Sequence, residues 1–236
     1  MTRFVKIFNL RNLTEQAVIE FQLFGLQLQE PMALITNWMM SFFCLFAFVK
    51  LRNNSDFDVI WWKRFFFIFT ISAFFGGLGH LFFQYFDKSG KFPNWITGIL
   101  AGYCAGKAVT AHVKKEVLKK RLEISLVAKG FILLILSLSL RQFIFVAVDA
   151  IFTYVFFCGI LAYQIYKKGV LEMKYFFIGT LICLPSAFIF LLKINPHIWF
   201  NKDDASHILM LFCLISFYIG ASKLANKNAL VLQKIS

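Results

Sequence analysis

The chain has 236 residues, of which 59% are hydrophobic, and its mean hydropathy is +0.70. A composition this apolar excludes an ordinary soluble domain and indicates a membrane protein. The formal net charge of +13 comes from Lys and Arg in the short gaps between apolar runs, where basic residues set topology and meet anionic headgroups. We therefore expect membrane lipids and a lipid-like substrate as partners, no nucleic acid, and a bacterial inner or plasma membrane location, with the oligomeric state left open.

The first 30 residues form an N-terminal segment of mixed character. Thr14 is placed to cap a helix that runs to about Gln29, with apolar residues on one face. Such amphipathic spacing is typical of a helix in the membrane interface, although a packed helix without a function of its own explains it equally well. Residues 31–225 are predicted to be the transmembrane domain, and residues 226–236 a cytoplasmic tail.

Seven apolar runs follow, each near the length of about 20 residues that a spanning helix needs. They predict an all-α integral membrane protein built as a seven-transmembrane helix bundle. Fifteen Lys and Arg residues of the intervening gaps and the tail fall on one side of such a bundle, and five fall on the other. Because the basic side is cytoplasmic, the N-terminus is expected outside and the C-terminus inside. The runs cover 31–49, 65–86, 93–113, 124–140, 143–166, 174–193 and 206–224.

Several ionisable residues fall inside or beside these runs, where they are costly and usually face the interior of the bundle. In this orientation His80, in the second run, lies in the outer half, and His207 lies near the outer end of the seventh. Asp149 and Glu30 share that depth, one about two turns into the fifth run and the other just before the first. Lys129, near the start of the fourth run, is expected near the cytoplasmic face.

The start of the seventh run has the spacing of a metal site. Asp203 and Asp204 precede His207 by four and three residues, which places all three on one helical face. With His80 from a neighbouring helix, two of them would supply the three ligands of a catalytic zinc, whose fourth position holds water. Such an ion lowers the pKa of its water to about 7, and a spare carboxylate, Asp204 or Asp149, would act as general base. The same DxxxH pattern is also typical of a solvated helix start with Asp at the N-cap.

The second run carries small and polar residues around its histidine. Gly76, Gly77 and Gly79 precede His80 and let another backbone approach closely. Ser72 lies about two turns before the histidine on a similar face. Its hydroxyl would hydrogen-bond either within the site or back to its own helix.

Three segments resemble the CREST superfamily, which comprises seven-span membrane hydrolases and receptors including the alkaline ceramidases. Glu30–Phe43 (EPMALITNWMMSFF) is similar to the acidic, asparagine-containing opening of the first span in ceramidases. Ser72–Phe83 (SAFFGGLGHLFF) is similar to the second span, with its serine and its metal-binding histidine. Asp203–Ala221 (DDASHILMLFCLISFYIGA) is similar to the last span, which begins with HxxxH in that family.

The resemblance implies a zinc site made by His80 and His207 and hydrolysis of an amide bond in a ceramide-like lipid. It also implies a calcium-binding role for Glu30. Two positions depart from the family: Asp203 stands where the first histidine of HxxxH is expected, and Gly76 stands where serine is common. Since aspartate also ligates zinc, we expect a zinc-dependent hydrolase of a lipid amide or ester, with His80, His207 and Asp203 as ligands.

Two other functions fit the same residues. A non-catalytic heptahelical protein that binds or senses lipid or metal would keep a degenerate form of the site. A small ion-coupled transporter would use Asp149 and His80 as an ion relay, although many transporters carry internal repeats and the two halves of this sequence show none. Metal binding distinguishes the transporter from the others, and lipid turnover distinguishes the hydrolase from the sensor.

Overall fold

The computed structural model describes residues 18–52 and 57–233, which form a bundle of long helices preceded by a small hairpin. Two 3-10 turns, Asp87–Lys91 and Leu171–Met173, each lead directly into a helix. A π-helical stretch, Thr153–Leu161, continues one helix into the next without a break. The strands are β1 (Glu20–Leu23) and β2 (Leu26–Gln29), and the helices are α1 (Pro31–Leu51), α2 (Phe57–Leu81), the short α3 (Phe83–Phe86), α4 (Phe92–Thr110), α5 (Glu116–Leu140), α6 (Ile144–Phe152), α7 (Ala162–Lys167), α8 (Lys174–Leu191) and α9 (Lys202–Gln233).

Six helical segments within these ranges are long and apolar enough to cross a membrane, judged by length and composition. At this level the prediction of an all-α, multi-pass membrane protein is confirmed. The remaining long helix, α4, packs against α2, α5 and the π-helical stretch. The six segments are Pro31–Leu51, Val59–Leu81, Glu116–Leu140, Ile144–Lys167, Leu171–Leu191 and Lys202–Lys227.

The segment before α1 is an antiparallel hairpin, so the prediction of a helix up to Gln29 is wrong over residues 20–29. Its predicted cap, Thr14, lies outside the described residues. Phe24 and Gly25 both have positive φ, 50° and 79°, as the commonest two-residue hairpin turns require. Polar and apolar residues alternate along β2 (LQLQ). This period of two is typical of a strand, and it outweighs the helical spacing of the apolar residues in the same segment.

The apolar runs located the long helices but not their ends. α5 begins at Glu116, eight residues before the predicted run. Lys129 therefore lies midway along α5, and its ion pair with Asp149 shows that the predicted separation of these two residues in depth is wrong. α9 begins at Lys202 and continues to Gln233, so the predicted tail, residues 226–236, is an extension of the last helix as far as the chain is described.

The centre of the bundle is an aromatic core between α2, α8 and α9. Trp62 stacks on Phe176 with ring centroids 4.1 Å apart and planes inclined by 4°, and Phe217 packs edge-on against both. All three side chains are fully buried, and such aromatic pairs stabilise a core beyond the area they bury. Trp62 lies near the start of α2 and His80 at its end, about 27 Å apart along the helix axis, so the functional candidates lie away from this core.

Candidate functional site

Polar side chains from four parts of the chain meet beside the end of α2. The start of α1, the turn before α4 and the start of α9 supply the other members. The rings of the two candidate histidines, His80 and His207, face each other nearly at right angles, with centroids 6.5 Å apart. This polar cluster consists of Glu30, Thr36, Asn37, His80, Lys91, Asn201, Lys202, Asp203, Asp204 and His207.

Glu30 orients the ring of His80. Its Oε2 lies 2.5 Å from His80 Nδ1, and its Oε1 accepts a hydrogen bond of 3.3 Å from the amide nitrogen of Asn201. Glu30 is the N-cap residue of α1, with a left-handed backbone (φ 48°), and this turn aims its side chain across to α2. A carboxylate at Nδ1 accepts the Nδ1–H and so fixes the orientation of the ring.

The charge of Glu30 is maintained by its surroundings. Burial raises the pKa of Glu30, but the hydrogen bond and charge of His80, together with two nearby lysines, lower it more, so the pKa lies below the ordinary value. The carboxylate is therefore ionised at neutral pH. Its contacts with His80 and Asn201 make Glu30 a member of the polar cluster. The resemblance implied a calcium-binding role for it instead.

Lys91 places an ammonium group against the ring of His80. Its Nζ lies 3.3 Å from both Nδ1 and Nε2, and equal distances put it over the ring face, because an in-plane position would collide with Cε1. A Cβ atom on Gly79 would lie 2.9 Å from Lys91 Cγ and 3.0 Å from the carbonyl oxygen of Gly90. The expectation that another backbone approaches these glycines is therefore confirmed. Burial lowers the pKa of Lys91 by more than the charges of Glu30 and Asp203 raise it.

His207 is held through the same ring nitrogen as His80. Its Nδ1 lies 2.9 Å from Thr36 Oγ1 and 3.4 Å from Asn37 Nδ2. The Thr36 hydroxyl donates to the carbonyl of Met32 one turn earlier, at 3.0 Å, and so has lone pairs available for an Nδ1–H. The Thr36 hydroxyl can accept from an Nδ1–H and the Asn37 amide can donate to an Nδ1 lone pair, so the two contacts hold the ring at Nδ1 in either tautomer.

The two acids at the start of α9 have different partners. Asp204 forms a capping box with Asn201: the backbone N–H of Asp204 donates to Asn201 Oδ1 (3.2 Å), and the backbone N–H of Asn201 donates to Asp204 Oδ2 (2.9 Å). The carboxylate of Asp203 pairs with Lys202 Nζ at 3.0 Å. The helix start is capped, as the alternative expected, but the N-cap is Asn201 rather than an aspartate, and Asp204 is buried rather than solvated.

The predicted zinc ligands are only partly assembled. The rings of His80 and His207 lie 6.5 Å apart between centroids, and each has a partner at Nδ1. Asp203, the predicted third ligand, is turned to Lys202 instead. Within residues 18–52 and 57–233, no three His, Cys, Asp or Glu side chains converge closely enough to hold a metal ion.

A pocket opens beside the cluster, between the segment before β1 and the loop that leads into α9. Ile19, Ile198 and Trp199 provide apolar walls, and Glu30 and Asp204 contribute carboxylates. A ligand with an apolar body would therefore meet acidic groups when it enters.

One family matches most of this architecture. Residues 32–226 match a family of unknown function (DUF6962). The chain belongs to this family. The matched range begins two residues after Glu30 and includes every other member of the polar cluster. No curated protein and no solved structure matches the chain.

Asp149 lies apart from the polar cluster, in an ion pair between α5 and α6. Lys129 Nζ donates to Asp149 Oδ1, to the backbone oxygen of Asp149 (3.3 Å) and to Thr153 Oγ1 (2.7 Å). Asp149 is 1% exposed, and Gly102 on α4 makes room for it, since a Cβ there would lie 3.0 Å from Asp149 Oδ2. The structure therefore does not bring Asp149 together with His80, as a shared base or an ion relay requires.

Ser72 was expected to hydrogen-bond within the site or back to its own helix, but it contacts α4 instead. Its hydroxyl donates to Asn94 on α4, to the side-chain oxygen at 2.8 Å and to the backbone oxygen at 3.1 Å. A Cβ on Gly76 would lie 2.7 Å from Asn37 Oδ1 and 2.8 Å from Asn94 Nδ2. Gly76 thus leaves space for two asparagine side chains, and Ser72 positions one of them.

Sequence reasoning missed Lys91, Thr36, Asn37 and Asn201. The asparagine three residues before Asp204 carries a usable signal, because this spacing is that of a capping box. Thr36 and Asn37 are adjacent polar residues inside an apolar run, which favours an interior contact. Lys91 has no such signal, since a lysine in a short gap is typical of a topology determinant.

Proposed function

We propose that this chain is a zinc-dependent membrane hydrolase that cleaves an amide or ester bond of a lipid, as a divergent member of the CREST superfamily. The observation that carries the proposal is the meeting of His80 and His207, whose ring centroids lie 6.5 Å apart and whose Nδ1 atoms each have a hydrogen-bonding partner. A metal-ligating histidine characteristically hydrogen-bonds through its other ring nitrogen to a carboxylate, a carbonyl or water. Glu30 fills this role for His80, and Thr36 fills it for His207.

The proposal includes seven spans, with α4 as the third, the N-terminus outside and the C-terminus in the cytoplasm of a bacterial inner or plasma membrane. α4 is not among the six segments that are apolar enough to cross a membrane, and it packs against α2, α5 and the π-helical stretch, where a spanning helix needs less lipid-facing surface. The distribution of fifteen and five basic residues supports this orientation. Labelling of single introduced cysteines in intact cells tests it: modification from outside at Ser89 and protection at Lys168 are expected, and the reverse would contradict it.

The residues of the polar cluster take separate roles in this proposal. Zinc in such a site supplies a water of lowered pKa and polarises a carbonyl. Asp203 is the nearest candidate for the third ligand, because it lies one turn before His207 and needs only to leave Lys202. Asp204 is a buried carboxylate beside Thr36 and is placed to accept a proton. We assign Glu30 to orienting His80 rather than to calcium, since both of its oxygens already have partners.

The pocket supports a lipid-like substrate. Its walls are apolar at Ile19, Ile198 and Trp199, and its carboxylates belong to the cluster. The polar linkage of a lipid would then lie close to Glu30 and Asp204.

The metal content of the purified full-length protein tests the proposal. We expect about one zinc ion per chain, and a large loss in His80→Ala, His207→Ala and the double variant. His197→Ala is the matched control, because that exposed histidine contacts Trp199 in the loop before α9 and lies outside the cluster. Wild-type protein that binds no more zinc than the double variant would contradict the metal site.

Turnover of a panel of amide- and ester-linked lipids by zinc-loaded protein then tests the reaction. No product from any of them, with zinc bound, would favour the second candidate, a non-catalytic metal or lipid sensor. The pairing of Asp203 with Lys202 favours that candidate, because it leaves the third ligand position unfilled. The transporter is disfavoured, since Asp149 pairs with Lys129 rather than with His80.

A further inference from the structure

The end of the bundle remote from the polar cluster carries a basic and aromatic surface. Near the start of α2, the guanidinium of Arg64 lies over the ring of Trp61, 4.4 Å from its centroid. The ammonium of Lys107, in the last turn of α4, lies over the same ring at 5.3 Å, and Tyr103 packs edge-on against it. Because an aromatic ring attracts cations, Trp61 gathers positive charge from two helices at one place.

The start of α5 joins this surface. Lys107 Nζ also pairs with Glu123 Oε1 at 2.7 Å, and this contact fixes α5 against the end of α4. Lys120 lies three residues before Glu123 and so shares its helical face. Since Glu123 balances the charge of Lys107, the exposed side chains of Arg64 and Lys120 supply positive charge on the two sides of this contact.

Basic residues are concentrated around the first turns of α5. Five Lys and Arg residues lie between positions 114 and 121, and the one acid among them, Glu116, lies 3.7 Å from Lys119. A basic cluster of this size beside a spanning helix is typical of a surface that binds acidic phospholipids. A zwitterionic headgroup would leave most of this charge unbalanced.

An apolar strip continues from Lys120 along α5. Ile124, Val127 and Phe131 follow it by four, seven and eleven residues, which is the spacing of one helical face. Their exposed fractions are 58%, 55% and 64%, so this face is open to lipid. A charged turn that leads into an open apolar face fits a phospholipid, because its acyl chains begin directly at its headgroup. A free phosphate would contact the charged turn alone.

We propose that this end of the bundle binds an anionic phospholipid, with its headgroup between Arg64 and Lys120 and its acyl chains along the apolar strip of α5. Trp61 holds the Arg64 guanidinium in position for the headgroup. Only 11% of the apolar stretch of α5 is buried, so a lipid bound between α2 and α5 adds to the contacts that hold α5 in the bundle. The site is separate from the polar cluster and does not depend on the metal or the reaction proposed there.

Native mass spectrometry of the full-length protein in detergent tests the site, with phosphatidylglycerol and phosphatidylcholine of identical acyl chains as probes. Wild type should bind phosphatidylglycerol roughly tenfold more tightly or better. Arg64→Gln and Lys120→Gln should each weaken this binding about fivefold, and the double variant about 25-fold, while the affinity for phosphatidylcholine stays unchanged. Arg64→Lys keeps the charge and should retain most of the affinity.

Lys88→Gln combined with Lys193→Gln is the matched control, because these exposed lysines lie at the other end of the bundle and their removal changes the net charge equally. Its affinity for phosphatidylglycerol should stay within about twofold of wild type. An equal loss in the two double variants would assign binding to net charge and overturn the site. Circular dichroism of each variant confirms that it is folded.

The two probes also test the kind of ligand. Equal affinity of wild type for phosphatidylglycerol and phosphatidylcholine would overturn the preference for an anionic headgroup. Displacement of phosphatidylglycerol by inorganic phosphate at the same concentration would assign the site to free phosphate and overturn the lipid. A preference for phosphatidylglycerol that phosphate does not displace, and that Arg64→Gln and Lys120→Gln reduce, supports the proposal.

Discussion

Glu30 Oε2 and His80 Nδ1 lie 2.5 Å apart, across the junction between the N-cap of α1 and the last turn of α2. Glu30→Gln keeps the size of the side chain and removes its charge. Because hydrogen bonds to charged groups are stronger than neutral ones, we expect the free energy of unfolding at neutral pH to fall by about 1–2 kcal/mol. Thermal unfolding of the detergent-solubilised protein measures this change.

The effect of Glu30→Gln should also depend on pH. The pKa of Glu30 in the folded protein lies below its ordinary value of 4.5, so its stabilising contribution is present above 4.5 and is lost as the pH falls through the folded pKa. The difference between wild type and Glu30→Gln should therefore shrink in acid. Glu116→Gln is the control, since that exposed glutamate makes only a 3.7 Å pair with Lys119. A difference that persists unchanged well below pH 4.5 would contradict the charged pair.

Thr36 gives a test of how His207 is oriented. Thr36→Val keeps the shape of the side chain but removes the hydroxyl that lies 2.9 Å from His207 Nδ1. Loss of such a supporting group typically weakens metal binding about 10–100-fold, and we expect a decrease of this size in the zinc affinity. Thr36→Ser should restore most of it.

Thr97→Val is the matched control for this prediction, because the Thr97 hydroxyl bonds back to the carbonyl of Pro93 in its own helix. Its zinc affinity should equal that of wild type. If both valine variants lose affinity alike, the hydroxyl of Thr36 has no specific role in orienting His207.

Hydropathy alone located the long helices but not where they end. A spanning helix needs a long apolar stretch, and this requirement identified α1, α8 and the continuous helix from α6 to α7. Helix ends depend on caps and local hydrogen bonds instead. The first turns of α5 (EVLKKRLE) are charged, so a search for apolar runs does not include them. The pairing of Lys129 with Asp149 depends on how α5 and α6 pack against each other, which hydropathy does not show.

The sequence predicted those residues of the candidate site whose polar side chains are energetically costly inside an apolar helix. His80 and His207 stand out because imidazoles are rare in apolar helices, and the structure brings them together. The contacts of Lys91 depend on how the turn before α4 folds back on the bundle, which local sequence does not encode. Asp203 and Asp204 share a helical face with His207, but their partners, a lysine and a backbone N–H, are set by the geometry of the helix start.

Gly79 tests the close approach that positions Lys91. Gly79→Ala would place a Cβ 2.9 Å from Lys91 Cγ and 3.0 Å from Gly90 O, so the turn before α4 must shift. We expect a destabilisation of about 1–3 kcal/mol in thermal unfolding, the usual range for overpacking. Gly130→Ala is the control, because a Cβ there meets only Ile99 at 3.4 Å, an ordinary contact, and should be neutral or stabilising by up to about 1 kcal/mol. Equal effects of the two substitutions would show that helix propensity, and not the close approach, decides.

The ion pair between Lys129 and Asp149 is expected to hold α5 against the bundle. Lipid provides no hydrophobic drive for helices to associate, so packing and polar contacts decide, and few residues of α5 are buried. Asp149→Asn leaves the ammonium of Lys129 without its counter-charge beside a buried position. Breaking a buried pair in this way typically costs about 3–5 kcal/mol, and we expect a loss of that order in the free energy of unfolding.

A double-mutant cycle separates this pairing from a general effect of Asp149. Lys129→Met alone leaves the carboxylate unpaired and should also destabilise, whereas Lys129→Met with Asp149→Asn removes both charges and should recover much of the loss. Ser125→Ala is a control on the same helix, because its hydroxyl bonds back to Leu122 at an exposed position. Strictly additive losses in the double variant would show that the two charges do not stabilise each other, and that α5 is held by the packing of its side chains against α4 and α6 instead.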